Sequence, residues 1–146
     1  MPNSLCTYGY VSTSRLAPDK AADEIRRIVA HSAGENGRRE ITGALVYAEG
    51  RFAQIVEGSH DQIEQLKTRL AVDPRHEQLV PFSLADTNGR RFERWALAYS
   101  GHAPFFAAIL RRLQENKGSP GEADRLAQLM QEFVVGDFFL VDDFAP

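Results

Sequence analysis

Two β-rich runs, residues 41–47 and 51–57, lie either side of Ala48-Glu49-Gly50, and this pairing constrains the fold more than any other feature. Branched and aromatic runs joined by a short glycine-containing connector read as a β-hairpin. A hairpin alone is marginal in water, so it demands further strands and a covering layer. The flanking sequence supplies both. Residues 5–12 read as a strand, and Pro18-Asp19 opens a helix through Ala33, with Ala22, Ile25, Ile28 and Val29 at helical spacing and Gly34 as its stop. After the hairpin, Ser59 and Gln62 form a Ser-x-x-Gln capping box. The helix they open carries the seam Ile63, Leu66 and Leu70 and ends at Asp73-Pro74. Residues 79–84 and 95–100 give two more strands, with an Asn88-Gly89 turn between them. The order β-α-β-β-α-β-β predicts an α+β, ferredoxin-like core: a mixed sheet with two helices on one face.

Beyond this core, 103–116 and 122–135 read as amphipathic helices, with seams Phe106/Ile109/Leu110/Leu113 and Leu126/Leu129/Met130/Phe133. The expected division is therefore a core over residues 1–100 and a helical extension over 101–146 that docks on the sheet or on a partner. Composition narrows the function classes. A formal net charge of −3, from 17 Lys+Arg against 20 Asp+Glu, argues against a nucleic-acid surface. One cysteine, Cys6, excludes an internal disulfide and any multi-thiolate metal site. Histidines at 31, 60, 76 and 102 lack metal-ligand spacing. No apolar run approaches the ~18–20 residues of a membrane span, so the expectation is a soluble, cytoplasmic domain. Neither a Gly-x-x-x-x-Gly-Lys loop nor a Gly-x-Ser-x-Gly elbow is present, leaving phosphoryl and acyl transfer without support.

A few residues stand out chemically. Strand alternation puts Gln54 on one face with Phe52 and Val56, between apolar neighbours. It is a glutamine on an edge strand, one bonded to nearby backbone, or a polar contact for a ligand between sheet and helices. Tyr10, in phase with Cys6, Tyr8 and Ser12, is a packing residue or, on a strand beside Gln54, half of a phenol–amide pair. Asn36, in Gly34-Glu35-Asn36-Gly37, is a turn residue or an amide reading a ligand's imide edge. Trp95 reads as core, and Arg75-His76 as a solvated pair after the helix or one edge of a polar pocket.

In this order these residues resemble the BLUF family, blue-light sensors that use flavin. The resemblance runs from about Leu5 to Tyr99. It rests on Leu5-x-x-x-x-Tyr10-x-Ser12, Asn36-x-x-x-x-Ile41-Thr42-Gly43-x-Leu45, Gly50-x-Phe52-x-Gln54-x-x-Glu57-Gly58, Asp73-Pro74-Arg75-His76 and Arg91-Phe92-x-x-Trp95. It implies a flavin, FAD with FMN or riboflavin as alternatives, lying between the two core helices against the sheet. By the same resemblance, Tyr10 is the photoactive tyrosine and Gln54 the switching glutamine. Asn36 pairs with the polar edge of the flavin, Arg75 and His76 lie near the ring, and Ser12 and Phe52 line it. Trp95 matches the tryptophan tied to signal output. Leu97 stands where the family commonly has methionine, and Glu35 before Asn36 is a second departure.

The resulting expectation is a photosensor rather than an enzyme. With about 45 residues after the core, it passes its signal to a separate downstream protein through the C-terminal helices or a homo-oligomer interface, with Phe138, Phe139 and Phe144 near the end. A flavin-free interaction module on the same fold is the alternative. A small acylphosphatase-like enzyme is a third reading, without its phosphate-binding arginine loop.

Overall fold

A computed structural model describes residues 5–85 and 87–135; Phe138, Phe139 and Phe144 lie outside the described residues. Five strands, β1 (Leu5–Ser14), β2 (Thr42–Ala48), β3 (Arg51–Ser59), β4 (His76–Phe82) and β5 (Trp95–Gly101), form one sheet in the order β4-β1-β3-β2-β5. The hairpin β2–β3 is antiparallel, as are β1–β3 and β1–β4, while β5 adds parallel to β2. This is the expected mixed, ferredoxin-like sheet. The hairpin connection is a tight one, with Glu49 at φ 53° and Gly50 at φ 81°. Two successive positive φ values are what a two-residue type I′ connection requires, and its twist matches that of the strands.

Helices cover both faces. The first face carries α1 (Ala21–Arg38), entered through a single 3-10 turn at Pro18–Lys20, and α2 (His60–Ala71). Ile25, Ile63 and Leu66 from these helices pack with Leu45, Phe52, Val56, Trp95 and Leu97 of the sheet. On the opposite face α3 (Pro104–Gln114) and α4 (Pro120–Val135) bury Phe106, Leu110, Leu126 and Met130 against Val11, Val46, Ala53 and Ile55. The extension thus docks on the sheet, and β3 runs through the middle of a three-layer sandwich. Its interior seven residues, 52–58, are all buried. At β5 a register shift against β2 places both Ala98 and Tyr99 toward the α3–α4 core, after Trp95 and Leu97 have faced the other way.

Three local expectations are corrected. Gly34 does not stop α1; the helix continues through Asn36 and Gly37 to Arg38. No Cβ is needed at Gly34 for contact and its φ is unremarkable, so a tolerated helical glycine outweighs the stop signal. The left-handed residue that ends the turn is Glu40, at φ 57°. Second, β4 starts at His76, not residue 79, because Gln78 at φ 53° lets the strand bulge and keep pairing with β1. Third, the capping box forms by half: Ser59 Oγ accepts from the Gln62 N–H at 3.3 Å, whereas Gln62 Oε1 is buried with no hydrogen-bond partner.

Gly43 shows why the hairpin motif needs a glycine. At φ 154°, a Cβ there would sit 2.0 Å from the carbonyl oxygen of Ile55 on the paired strand. That oxygen belongs to backbone in the sheet centre and cannot swing away. Gly43→Ala should therefore cost about 3 kcal/mol or more in a denaturant-unfolding measurement, against the few tenths typical of an open surface glycine.

Candidate functional site

Register brings the first two candidates face to face. Tyr10 on β1 is the direct partner of Gln54 on β3. β3 is central rather than an edge, which removes the edge-strand reading of the glutamine. Gln54 Nε2 donates to Tyr10 Oη at 2.7 Å, and Trp95 Nε1 donates to Gln54 Oε1 at 2.8 Å. An indole N–H can only donate, so Oε1 must face Trp95 and Nε2 must face the phenol. All three side chains are almost entirely buried. Burial raises the pKa of the Tyr10 phenol well above that of a free tyrosine, partly opposed by the Gln54 hydrogen bond.

These three residues form part of the wall of a cavity of about 250 Å³ between α1, α2 and the sheet. That is far more room than a single water or ion needs. Asn36 reaches it from the last turn of α1, where its backbone carbonyl accepts from the Ile41 N–H at 2.8 Å. The residue as a whole is buried, and no hydrogen bond of its carboxamide is seen among the described residues. As part of the cavity lining, that amide can offer a donor and an acceptor to a ligand with a complementary edge. Phe52 and Leu45 supply apolar floor. The wall thus suits a planar heterocycle with a carbonyl and imide edge, and the family's flavin fits it.

His76 stands between the cavity and the outer strand. Its Nε2 meets the Leu70 carbonyl at 2.9 Å and its Nδ1 meets Ser12 Oγ at 2.7 Å. A carbonyl only accepts, so Nε2 carries a proton. The ring is thereby locked, with its centroid 5.8 Å from that of Tyr10. Ser12 is fully buried behind this histidine and does not line the cavity, contrary to the sequence expectation; its hydroxyl is committed to orienting His76. Arg75 does reach the cavity, but its guanidinium is engaged by both carboxylate oxygens of Asp73. Leu97 sits beside Leu45 in the packed layer under α1 and α2, outside the cavity wall.

The sequence alone did not assign the helix residues of the lining to a site. Ile28 and Glu35, named there for other reasons, line the cavity with Ser32 and Arg39 from one stripe of α1 and its C-terminal end, and Arg69 lines it from α2. The i, i+4, i+7 spacing was available as a signal, but ending α1 at Gly34 hid it. Glu35 is tied to Arg38 and Arg39. The Arg69 pKa is lowered by partial burial and by the neighbouring Arg39 charge.

Residues 5–98 match the family described as BLUF, sensors of blue-light using FAD. The chain is 30% identical over 87 residues to the photoactivated adenylate cyclase subunit alpha of Euglena gracilis, covering 59% of this chain and 8% of that protein. It is 27% identical over 79 residues to the blue light- and temperature-regulated antirepressor BluF of Escherichia coli, covering 54% of this chain and 20% of that protein. The similarity is therefore to a small part of these much longer relatives. Among solved structures, the dark state of BlrB, a BLUF protein, superposes with a TM-score of 0.70 at 26% identity, covering 90% of this chain and 98% of that one. With nearly two thirds of its length inside the family match, the chain belongs to the BLUF family of blue-light sensors.

Proposed function

We propose that the cavity holds the flavin of FAD, or of FMN, and that Gln54 is the switching element whose hydrogen bonds change on illumination. The observation that carries this reading is the buried chain Trp95–Gln54–Tyr10 on the cavity wall. When bound, a flavin would supply blue-light absorption and an excited state able to take an electron and a proton from a nearby phenol and to return both. Tyr10 is the phenol in position. Its Oη accepts from Gln54, which leaves its own proton uncommitted among the described residues. Burial keeps that proton in place in the dark. Asn36 reads the imide edge, Phe52 and Leu45 pack the ring, and His76 keeps the phenol oriented.

The amide of Gln54 has two arrangements with different consequences. Nε2 faces Tyr10 and Oε1 faces Trp95 in the structure, the arrangement assigned to the dark on this reading. Reversing the amide turns Tyr10 Oη into a donor and puts an N–H against the indole N–H. Two donors cannot bond, so Trp95 must give up its place. A buried donor with no acceptor costs ~1–3 kcal/mol, enough to bias a packed two-state element. Trp95 lies on β5, which packs on α4, so the relay reaches the C-terminal helices. On this reading residues 1–100 are the sensor and 101–146 present its state to a separate protein or a second copy of the chain. The cyclase and antirepressor relatives illustrate outputs of the two kinds that such a sensor can serve.

An absorption spectrum before and after blue light tests the proposal: a yellow protein should show a small, reversible red shift. A chain that stays colourless after flavin reconstitution would instead be the flavin-free interaction module. Tyr10→Phe and Gln54→Leu should each abolish the shift while keeping most of the flavin; a full shift in Tyr10→Phe removes the tyrosine from its role. Asn36→Ala should weaken flavin retention about ten-fold in equilibrium dialysis, the scale of one buried hydrogen-bonded amide.

Tyr10 also predicts a pH dependence. Its folded pKa is raised, so the folded chain keeps a proton that the unfolded chain loses above about pH 10. Stability from this group is intact below that pH and falls as pH climbs further. Melting temperatures followed across that range should drop more steeply for the parent than for Tyr10→Phe.

A further inference from the structure

Glu57 belongs to the motif around Gln54 but is given no task by the switch. It lies three residues further along β3 and faces the opposite side of the sheet, fully buried. Its carboxylate accepts three hydrogen bonds. Oε2 receives the Arg91 N–H at 2.7 Å; Oε1 receives the Phe92 N–H at 3.2 Å and the Thr42 hydroxyl at 2.9 Å. Arg90 closes the arrangement by donating to Thr42 Oγ1 at 2.8 Å and to the Glu57 carbonyl at 3.0 Å. Residues 90–92 are not in any strand or helix, and they lead directly into Trp95. A non-repetitive segment with its N–H groups turned inward needs acceptors, and a buried carboxylate supplies both from one side chain.

The same segment touches α4. Gln131 Nε2 donates to the Arg91 carbonyl at 3.2 Å. Residue 91 is therefore held through its N–H by the central strand and through its C=O by the C-terminal layer. At the sheet, the Gly43 N–H binds the Arg94 carbonyl at 3.2 Å and Gly43 pairs with Trp95. One strand thus grips Trp95 twice: Gln54 holds its indole on one face, and Glu57 holds the backbone leading to it on the other.

We propose that Glu57 is a positioning residue for the switch: its carboxylate fixes residues 91–92 and so sets the Trp95 indole against Gln54, with the Arg91–Gln131 bond linking that setting to α4. The inference rests on the proposed role of Gln54 and Trp95. It concerns no group that touches the flavin, so its effects fall on indole placement and recovery and not on occupancy.

Trp95 is the sole tryptophan, so isotope-labelled protein gives a single indole N–H resonance that reports the Gln54 bond. Glu57→Gln retains size but replaces one acceptor oxygen with a donor, leaving Arg91 or Phe92 N–H opposed by another N–H. In flavin-loaded protein kept dark, the variant should displace or broaden the indole resonance. After illumination it should alter the dark-recovery rate by roughly five-fold or more, the scale of one buried acceptor lost. Thr42→Val, which removes one donor to the carboxylate and suits a strand, should move both readouts in the same direction by less, and it decides the question if Glu57→Gln does not fold. A lowered melting temperature with an unmoved indole resonance and unchanged recovery overturns the proposal and leaves Glu57 a structural anchor. Parent protein that binds flavin but shows no red shift would remove the proposed function itself, whatever the indole resonance does.

Discussion

The orientation of one buried amide governs the site. Gln54 lies on the central strand between a phenol that can accept or donate and an indole that can only donate. The indole therefore dictates the direction of the amide, and through it the direction of the hydrogen bond to Tyr10. Had both neighbours been hydroxyls, either amide orientation would have been satisfied at little cost, and rotation would carry no mechanical consequence. Trp95 makes the two orientations unequal. The energy difference lives in a single donor that has an acceptor in one arrangement and none in the other.

That asymmetry needs a rigid frame. β3 is paired on both sides and covered on both faces, so its backbone has no freedom to follow the side chain. Tyr10 is its register partner and shares that constraint. Trp95 lies at the start of β5, an edge strand, entered from a non-repetitive segment. Of the three members of the chain, it is the one on an edge strand. Edge position, indole chemistry and contact of β5 with α4 coincide at one residue, which gives the direction of the proposed relay.

Much of this was legible beforehand. Alternation around Gln54, the hairpin connector and the helix seams follow from side-chain periodicity, and the structure keeps them except at the start of α1, where Ala21 is buried and Ala22 is exposed. What periodicity could not give was register. Tyr10 and Gln54 could be expected on one face, but their direct opposition depends on pairing between residues 44 positions apart in sequence. The two misread boundaries have the same origin. Gly34 and Arg75-His76 were judged by local preference, whereas tertiary contacts decide both: Asn36 is drawn into the last turn of α1 over the cavity, and His76 is drawn into β4 by pairing with Ser14. Glu57 was visible as a motif residue, yet its partners at 91 and 92 come from a segment without periodic pattern.

Leu97 takes on a definite meaning in this geometry. A thioether two residues after the tryptophan would offer Gln54 a weak, polarizable acceptor; leucine offers none. Among the described residues the one methionine, Met130, is buried in the α3–α4 core on the far side of the sheet, and no methionine sulfur competes there with the indole for the amide. If Gln54 is the switch proposed above, the Trp95 N–H is its polar partner on the β5 side, and a relay through that strand runs by this one hydrogen bond, kept aligned by the segment that enters β5.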